Sequence, residues 1–423
     1  MAVGVFPVVH TRLGNGMHVA VSEDHTVPVT ATNVSYAVGS GCDPPGRSGL
    51  AHLLEHVMFQ GARYTGPGEY AALITRHGGT FNARTGLDRT SYVARVPSGA
   101  LELVLWLEAD RMAHLGEAIS DERVGSQCRV VTEERRQSEE STPFGDLLRR
   151  TLKLFFPPGH PYHHAPMGRE PDLGEITAAE LSAFHQRHYV PGNAVLSVAG
   201  DIDAEEVIRL AGRYFGSAGP GSARPPRPDR GPRHSDAPGR DDVCPSRAGG
   251  LVQLAFPLPA GGGQGDAAAS AAIGAFGSGA SSRLHRRLIR AERAATTVGT
   301  DMTRLAGLWI GSVRAQPVRP ADTAALEELM AGELARYAEQ GPTRAEWEAA
   351  TAQLESAWLQ RLASYAGRAD EMAQQTLLTG EPESINDLVR NAARADEDRV
   401  RAAARSFSGG HAVVAYHPVA GAR

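Results

Sequence analysis

The sequence predicts an α+β protein that consists of two diverged copies of one folding unit. A chain of 423 residues is longer than a single hydrophobic core usually serves, so two or more domains are expected. Strand-like and helix-like segments follow one another in a similar order in the two halves, although identity between the halves is weak. Between them, residues 216–242 are rich in proline, glycine and alternating charges, which is typical of a linker. The predicted domains are therefore residues 1–215 and 243–423.

The first half alternates short β-rich segments with amphipathic helices. The turn residues Gly14-Asn15-Gly16 predict a hairpin over residues 11–24. Apolar residues at helical spacing predict long helices over 98–115 and 120–138. The other predicted elements of this half are strands over 29–41, 79–86, 88–96 and 193–203, a helix from about Arg47, and helices over 66–79 and 204–215.

The second half predicts the same succession of elements. A strand over 249–259 precedes two helices separated by a glycine break in 266–292. Further predicted elements are strands over 295–302, 307–315 and 411–419 and long helices over 323–340 and 343–379. The HxxEH sequence that the first half contains at residues 52–56 is not repeated here, so we expect the first half to carry the chemistry.

Composition narrows the class of protein. Hydrophobic residues make up 42% and charged residues 22% of the chain, as in ordinary soluble globular proteins. A net charge of -5 gives no indication of a nucleic-acid-binding surface. The three widely spaced cysteines predict neither a disulfide framework nor a thiolate metal site. The beginning of the sequence lacks the features of a signal peptide, and no long apolar run predicts a membrane span. We therefore expect a cytoplasmic location.

The segment His52-Leu53-Leu54-Glu55-His56 predicts a metal centre. On a helix, His52 and His56 are about 40° apart around the axis, so both imidazoles can reach one ion. Glu55 lies on the same side and can act as a general base toward an attacking water. A hydrolytic zinc site uses three protein ligands, so one ligand remains to be found.

The alternative is a partly exposed helix that carries two histidines by chance. With 16 histidines in the chain, an accidental HxxEH has a probability on the order of a few per cent. However, Leu50, Leu53, Leu54 and Val57 make the rest of this helix apolar, so the three ionisable residues would be buried. A bound cation removes the cost of burying a carboxylate, and we therefore favour the metal site.

The residues around this motif resemble the pitrilysin/insulysin family of HxxEH zinc peptidases, also called inverzincins, and in particular its bacterial processing-peptidase-like branch. The matching segments are GSGCDPPGRSGLAHLLEHVMFQG (39–61), GGTFNARTGLDRTSY (78–92), VVTEERRQ (130–137), GHPY (159–162), YVPGNAVLSVAGDID (189–203) and SSRLHRRLIRAE (281–292). The resemblance implies one zinc ion per chain. It also implies two α+β units, each a mostly antiparallel sheet packed with helices, that close like a clam around a chamber.

The same resemblance implies a glutamate on a separate helix as the third zinc ligand. Two adjacent glutamates are candidates, and the family's spacing from the paired valines Val130 and Val131 selects Glu134 over Glu133. Helical periodicity agrees, because Gln127, Val131 and Glu134 share one stripe. Many relatives carry a glutamate at the position of Gln127, where it supports the zinc site by hydrogen bonding.

Further residues are implied in substrate binding. Asn82 and Ala83 match the family strand that pairs with the substrate backbone, and Arg290 matches an arginine that holds substrate. Relatives carry a tyrosine where this chain has Thr297. The chain therefore either uses a weaker version of this arginine-tyrosine pair as a homodimer or obtains the pair from a related partner chain in a heterodimer.

The resemblance implies a zinc-dependent endopeptidase that cleaves extended peptides or processes a peptide precursor, with Glu55 as the catalytic residue. The alternative function is that of a non-catalytic structural or scaffolding subunit of the same family. Such subunits typically lose HxxEH residues, whereas this chain keeps them all. We expect no nucleic-acid or membrane partner.

Overall fold

The computed structural model describes residues 6–219, 239–246, 248–259, 262–319 and 322–418. Most of the predicted linker, residues 220–238, lies outside the described residues. Within the described part, contacts group the chain into two compact units. The first contains residues 6–134, 164–219 and 359–386, and the second contains 135–163, the described residues of 239–358, and 387–418. The predicted domains follow chain order, so they place residues 135–163 in the first domain and residues 359–386 in the second. The contacts group each of these segments with the opposite unit.

The elements are numbered in chain order. The strands are β1 (Val9–Arg12), β2 (His18–Glu23), β3 (Val29–Tyr36), β4 (Thr80–Thr85), β5 (Thr90–Pro97), β6 (Ala194–Gly200), β7 (Arg240–Ser246), β8 (Leu251–Pro259), β9 (Ala295–Leu305), β10 (Leu308–Pro317) and β11 (Ala412–Pro418). The α-helices are α1 (Leu50–Val57), α2 (Glu69–Arg76), α3 (Leu101–His114), α4 (Asp121–Arg135), α5 (Leu147–Phe155), α6 (Glu170–Gly174), α7 (Ala178–His188), α8 (Ala204–Phe215), α9 (Gly263–Gly277), α10 (Thr323–Gln340), α11 (Arg344–Ala363), α12 (Tyr365–Thr379), α13 (Ile385–Ala393) and α14 (Glu397–Arg405).

The first unit is built on a six-stranded sheet with the order β1-β2-β6-β3-β5-β4. Neighbouring strands are antiparallel except β2 and β6, which run parallel. Side chains of β2, β3 and β6 are buried along most of their length, which places these strands in the middle of the core. Strand β4 lies at the sheet edge, where exposed and half-buried residues alternate.

The second unit contains a five-stranded sheet with the order β7-β11-β8-β10-β9. Its one parallel pair is β7 with β11, and the other neighbours are antiparallel. If β7 is matched to β2 and the following strands are matched in turn, strand order and directions repeat those of the first sheet without β1. The predicted α+β fold with two diverged copies of one mostly antiparallel unit is therefore confirmed.

Several predicted elements have different boundaries in the structure. The predicted helix over 343–379 is interrupted at Ser364, which is extended (φ −77°, ψ 127°) and begins α12 by accepting a hydrogen bond from the Gly367 amide. Residues 240–242, predicted in the linker, begin β7. The second helix predicted in 266–292 is a π-helical segment over His285–Ala291.

The described helices include none that combines the length and the apolar character needed to cross a bilayer.

Candidate metal centre

The HxxEH motif lies on α1, whose position is set by an aspartate outside the helix. The Asp43 carboxylate accepts hydrogen bonds from the backbone amides of Gly49 (2.7 Å) and Ala51 (2.9 Å), which would otherwise have no partner in the first helical turn. Burial raises the pKa of Asp43 well above its usual value. Gly49 precedes the helix at φ 94°, a backbone conformation that favours glycine.

The apolar face of α1 fixes the direction of its polar side chains. Leu50, Leu53, Leu54 and Val57 are buried in the core of the first unit. His52 and Glu55 are also buried, with 7% and 8% of their surface exposed. Two of the three ionisable residues are therefore buried as expected, whereas His56 is half-buried. Each buried side chain needs a polar partner.

Helix α4 supplies the carboxylate that completes the group. Glu134 Oε2 lies 3.0 Å from His56 Nε2 and 3.9 Å from His52 Nε2. The two imidazole rings are 4.8 Å apart between centroids and nearly perpendicular. One ligand atom from each of the three side chains lies within 4.8 Å of the others. The structure thus brings together the three residues predicted as metal ligands.

The pKa shifts of these groups have clear physical causes. Burial, followed by the charge of His56, lowers the pKa of His52 to about 4. The hydrogen bond from His56 lowers the pKa of Glu134 below its usual value. At neutral pH His52 is therefore neutral and Glu134 is ionised, which are the protonation states that a metal ion requires of its ligands.

The donor set fits zinc. Two donor atoms that bind one tetrahedral zinc ion at roughly 2.0–2.1 Å lie about 3.3 Å apart, and the two measured separations of 3.0 and 3.9 Å bracket that value. Two imidazole nitrogens and one carboxylate oxygen are the ligand types of many catalytic zinc sites. Within the described residues, His52 Nδ1 is buried without a hydrogen-bond partner.

Glu55 is placed by a residue that sequence reasoning missed. The Thr85 hydroxyl, at the end of β4, donates a 2.5 Å hydrogen bond to Glu55 Oε2. Burial raises the pKa of Glu55, and the hydrogen bond from Thr85 acts in the opposite direction. Thr85 lies inside the segment 78–92 that carried the family resemblance, but nothing in its spacing indicated a contact with the motif helix.

A buried polar cluster adjoins this site and was also missed. The Arg111 guanidinium forms a bidentate ion pair with Glu108 and lies 4.2 Å from the Tyr92 ring centroid. The Tyr92 and Tyr189 hydroxyls are 3.1 Å apart, and burial, with a smaller contribution from the charge of Glu55, raises the pKa of both tyrosines. The i, i+3 spacing of Glu108 and Arg111 in an apolar helix was the available signal.

The predicted substrate-binding residues of the first unit lie on the edge strand. Asn82 is exposed and Ala83 is half-buried in β4, opposite Val93 and Tyr92 of β5. Because β4 is the last strand of the sheet, its outer backbone groups face no further strand of the described chain. Their role in binding substrate stays a prediction.

The other predicted residues are placed as follows. Gln127 is half-buried on α4, about two helical turns before Glu134, and Glu133 is exposed. Arg290 is exposed in the π-helical segment of the second unit. Thr297 is exposed on β9, and its hydroxyl donates to Gln316 Oε1 at 3.0 Å. The roles of Gln127 and Arg290 stay predictions.

Comparison with protein families gives two matches along the chain. Residues 18–153 match the family model described as insulinase (peptidase family M16). Residues 175–354 match the model described as the peptidase M16 inactive domain. The first match contains HxxEH and Glu134, and the second contains Arg290 and Thr297.

Curated relatives bear names that refer to zinc. The chain is 33% identical over 206 residues to the zinc protease PqqE of Helicobacter pylori, a match that covers 48% of this chain and 46% of the relative. It is 27% identical over 412 residues to an uncharacterised zinc protease of Streptomyces coelicolor, covering 96% and 88% of the two chains. The chain therefore spans less than half of the first relative and most of the second.

Solved structures share the fold over the full chain. A protease from Helicobacter pylori superposes with a TM-score of 0.89 at 24% identity, covering 98% of this chain and 100% of that chain. A peptidase M16 inactive domain from Pseudomonas fluorescens gives 0.85 at 19% identity, with 99% of each chain covered. Together with the family matches, these similarities confirm the family predicted from the motifs, and the chain belongs to peptidase family M16.

Proposed function

We propose that this chain is a zinc-dependent endopeptidase that cleaves extended peptides or processes a peptide precursor. The observation that carries the proposal is the convergence of His52, His56 and Glu134, with Glu55 beside them on the same helix. The names of two relatives, both zinc proteases, support the choice of metal.

His52, His56 and Glu134 would hold the ion through two nitrogens and one oxygen. A bound zinc ion supplies Lewis acidity, which makes a water molecule more acidic and polarises a carbonyl group. Glu55 would accept the proton of the attacking water and deliver it to the leaving amine, which completes peptide-bond hydrolysis.

The Thr85 hydroxyl restricts the rotation of Glu55 by holding Oε2, which leaves Oε1 for proton transfer. Strand β4 continues from Thr85 back to Ala83 and Asn82, so the edge proposed to bind substrate is covalently continuous with the residue that orients the base. An extended peptide added to this edge would pair through its backbone, which makes binding tolerant of side-chain sequence.

A cleavage assay tests the proposal. The purified chain, loaded with one equivalent of zinc, is expected to cleave a library of quenched fluorescent peptides, and a chelator is expected to abolish the cleavage. Glu55→Gln keeps the shape of the side chain but removes the base, so it is expected to retain zinc without cleaving. Cleavage by Glu55→Gln at the wild-type rate would contradict the proposal.

The second candidate is a non-catalytic structural or scaffolding subunit. The match of residues 175–354 to a model described as an inactive domain favours it, but those residues do not contain the HxxEH motif. Zinc binding without cleavage, under every partner condition tested, would support this candidate.

We further propose that activity depends on assembly. Thr297 lacks the reach of a phenol, so either the chain uses a weaker version of the arginine-tyrosine pair as a homodimer, or a related partner chain supplies the pair in a heterodimer. Measuring cleavage by the isolated chain, and its mass by light scattering, distinguishes an active homodimer from a form that needs a partner chain.

The cytoplasmic location stays a prediction that cell fractionation would test.

A further inference from the structure

The second unit contains a pocket of about 450 Å³ to which the roles above assign no ligand, although Thr297 belongs to its lining. The pocket lies beside the last two strands of the second sheet, β9 and β10, and is also lined by the segment that leads into α5. Its polar lining comes from Thr297, Arg314 and Gln316, and its apolar lining includes Phe144, Leu147 and Leu251.

Strand periodicity places the polar residues on one face. Arg314 is paired with Gly299 and Gln316 with Thr297 across the two strands, so these four residues share one side of the sheet. The intervening Ala315 is buried in the core on the opposite side. Arg314 lies over Gly299, since a Cβ built at that glycine would be 3.6 Å from Arg314 Nε, an ordinary contact distance.

The polar side chains that line the pocket offer more hydrogen-bond donors than acceptors. The Thr297 hydroxyl donates to Gln316 Oε1 at 3.0 Å, which leaves the two amide protons of Gln316 available. Arg314 is exposed and makes no hydrogen bond or ion pair within the described part of the chain. No acidic side chain is among the described residues that line the pocket.

From this combination we infer that the pocket binds a peptide carboxylate through Arg314 and Gln316, with a neighbouring apolar side chain against Phe144, Leu147 and Leu251. A guanidinium and a carboxylate form paired charge-assisted hydrogen bonds, and a fixed amide adds a third donor. The outer edge of β9 faces no further strand of the described residues, so an extended peptide can pair there while its carboxylate enters the pocket. That the ligand is a peptide rests on the proposed function.

The carboxylate has two sources, a peptide C-terminus or an acidic side chain. The probes are three fluorescein-labelled decapeptides of Ala and Gly that end in Leu. The first has a free C-terminus, the second has a C-terminal amide, and the third has the amide and one internal Glu. Binding is measured by fluorescence anisotropy to the full chain carrying Glu55→Gln, so that the peptides remain intact.

We expect the free-acid peptide to bind roughly 10-fold more tightly than the amide. Arg314→Met should remove this difference, Arg314→Lys should retain part of it, and the near-isosteric Gln316→Glu should reverse the preference by repulsion. If the Glu peptide binds like the free acid with the same dependence on Arg314, the carboxylate is that of a side chain and the inference stands.

Equal binding of the three peptides, or a preference that survives both Arg314→Met and Gln316→Glu, would overturn the inference. Because the readout requires no cleavage, the two proposals can fail separately. A chain that cleaves peptides without a carboxylate preference refutes only the pocket. A chain that shows the preference but binds no zinc refutes only the metallopeptidase.

Discussion

The Thr85 hydroxyl donates a 2.5 Å hydrogen bond to Glu55 Oε2 and so connects the edge strand β4 to the helix that carries HxxEH. Two residues separated by 30 positions in sequence are thereby held in one geometry. The orientation of the proposed base Glu55 therefore depends on strand β4 of the sheet as well as on the helix that carries the motif.

Replacing Thr85 by Val should lower kcat roughly 10-fold with little change in KM, because the base loses its orientation but the substrate edge remains. The hydrogen bond lowers the pKa of Glu55, so its loss should move the acidic limb of the kcat/KM profile to higher pH. Thr85→Ser should restore both parameters. A change confined to zinc content would show that Thr85 supports only the metal ligands.

Removing the carboxylate that accepts from the first turn of α1 should destabilise the first unit. Asp43→Ala leaves two buried amides without partners, and we expect a loss of about 1–3 kcal/mol in the free energy of unfolding. Asp43→Asn should lose less, because the amide still offers one acceptor. Urea denaturation monitored by circular dichroism measures both. An unchanged midpoint in Asp43→Ala would contradict the capping role.

Two buried histidines predict a loss of stability in weak acid. Burial lowers the pKa of His185 and of His188 from 6.5 to about 4, and each has one buried ring nitrogen without a hydrogen-bond partner in the described structure. Between pH 6.5 and about pH 4, these two histidines bind protons in the unfolded chain but not in the folded chain. The stability of the folded chain therefore falls as the pH is lowered through this range.

The double variant His185→Phe, His188→Phe should therefore lose less stability than the wild type between pH 7 and pH 4, with a difference on the order of 2 kcal/mol or more. Chemical denaturation at a series of pH values measures it. His77→Gln, on the exposed surface, serves as the control and should follow the wild type. Parallel stability curves for the double variant and the wild type would show that other groups cause the acid sensitivity.

Thr297 provides a direct test of partner dependence. Thr297→Tyr should raise kcat/KM of the isolated chain roughly 10-fold if a phenol near the substrate carbonyl is the missing element. The same change places a ring in the carboxylate pocket, so the preference for free-acid peptides should fall in parallel. Thr297→Ser is the matched control. No gain with Thr297→Tyr would remove the reason for expecting a partner to supply the tyrosine.

The predictable part of this molecule is the part that depends on local pattern. HxxEH lies on a helix because apolar residues at helical spacing bury one side of it, and most of the strands were recognisable from short β-rich runs bounded by turn residues. The two-fold repetition was visible only as an order of elements. The sheets show that strand directions repeat as well.

The parts that could not be predicted depend on distant contacts. Neither Thr85 nor Asp43 carries a local signal of its role, because the partner of each is determined by tertiary folding. The break between α11 and α12 at Ser364 was missed, because serine within a long helical pattern does not by itself end a helix. Tertiary packing also assigns α12 to the first unit, against β2, β3 and β6.

The metal content of a matched pair of variants tests the central claim most directly. Glu133 and Glu134 are adjacent glutamates on α4, but only the carboxylate of Glu134 converges with His52 and His56 in the described structure. After reconstitution with zinc and removal of free ion, elemental analysis should find one zinc per chain in the wild type and in Glu133→Ala, and almost none in Glu134→Ala. Zinc retained in Glu134→Ala and lost in Glu133→Ala, or absent from the wild type, would contradict this account.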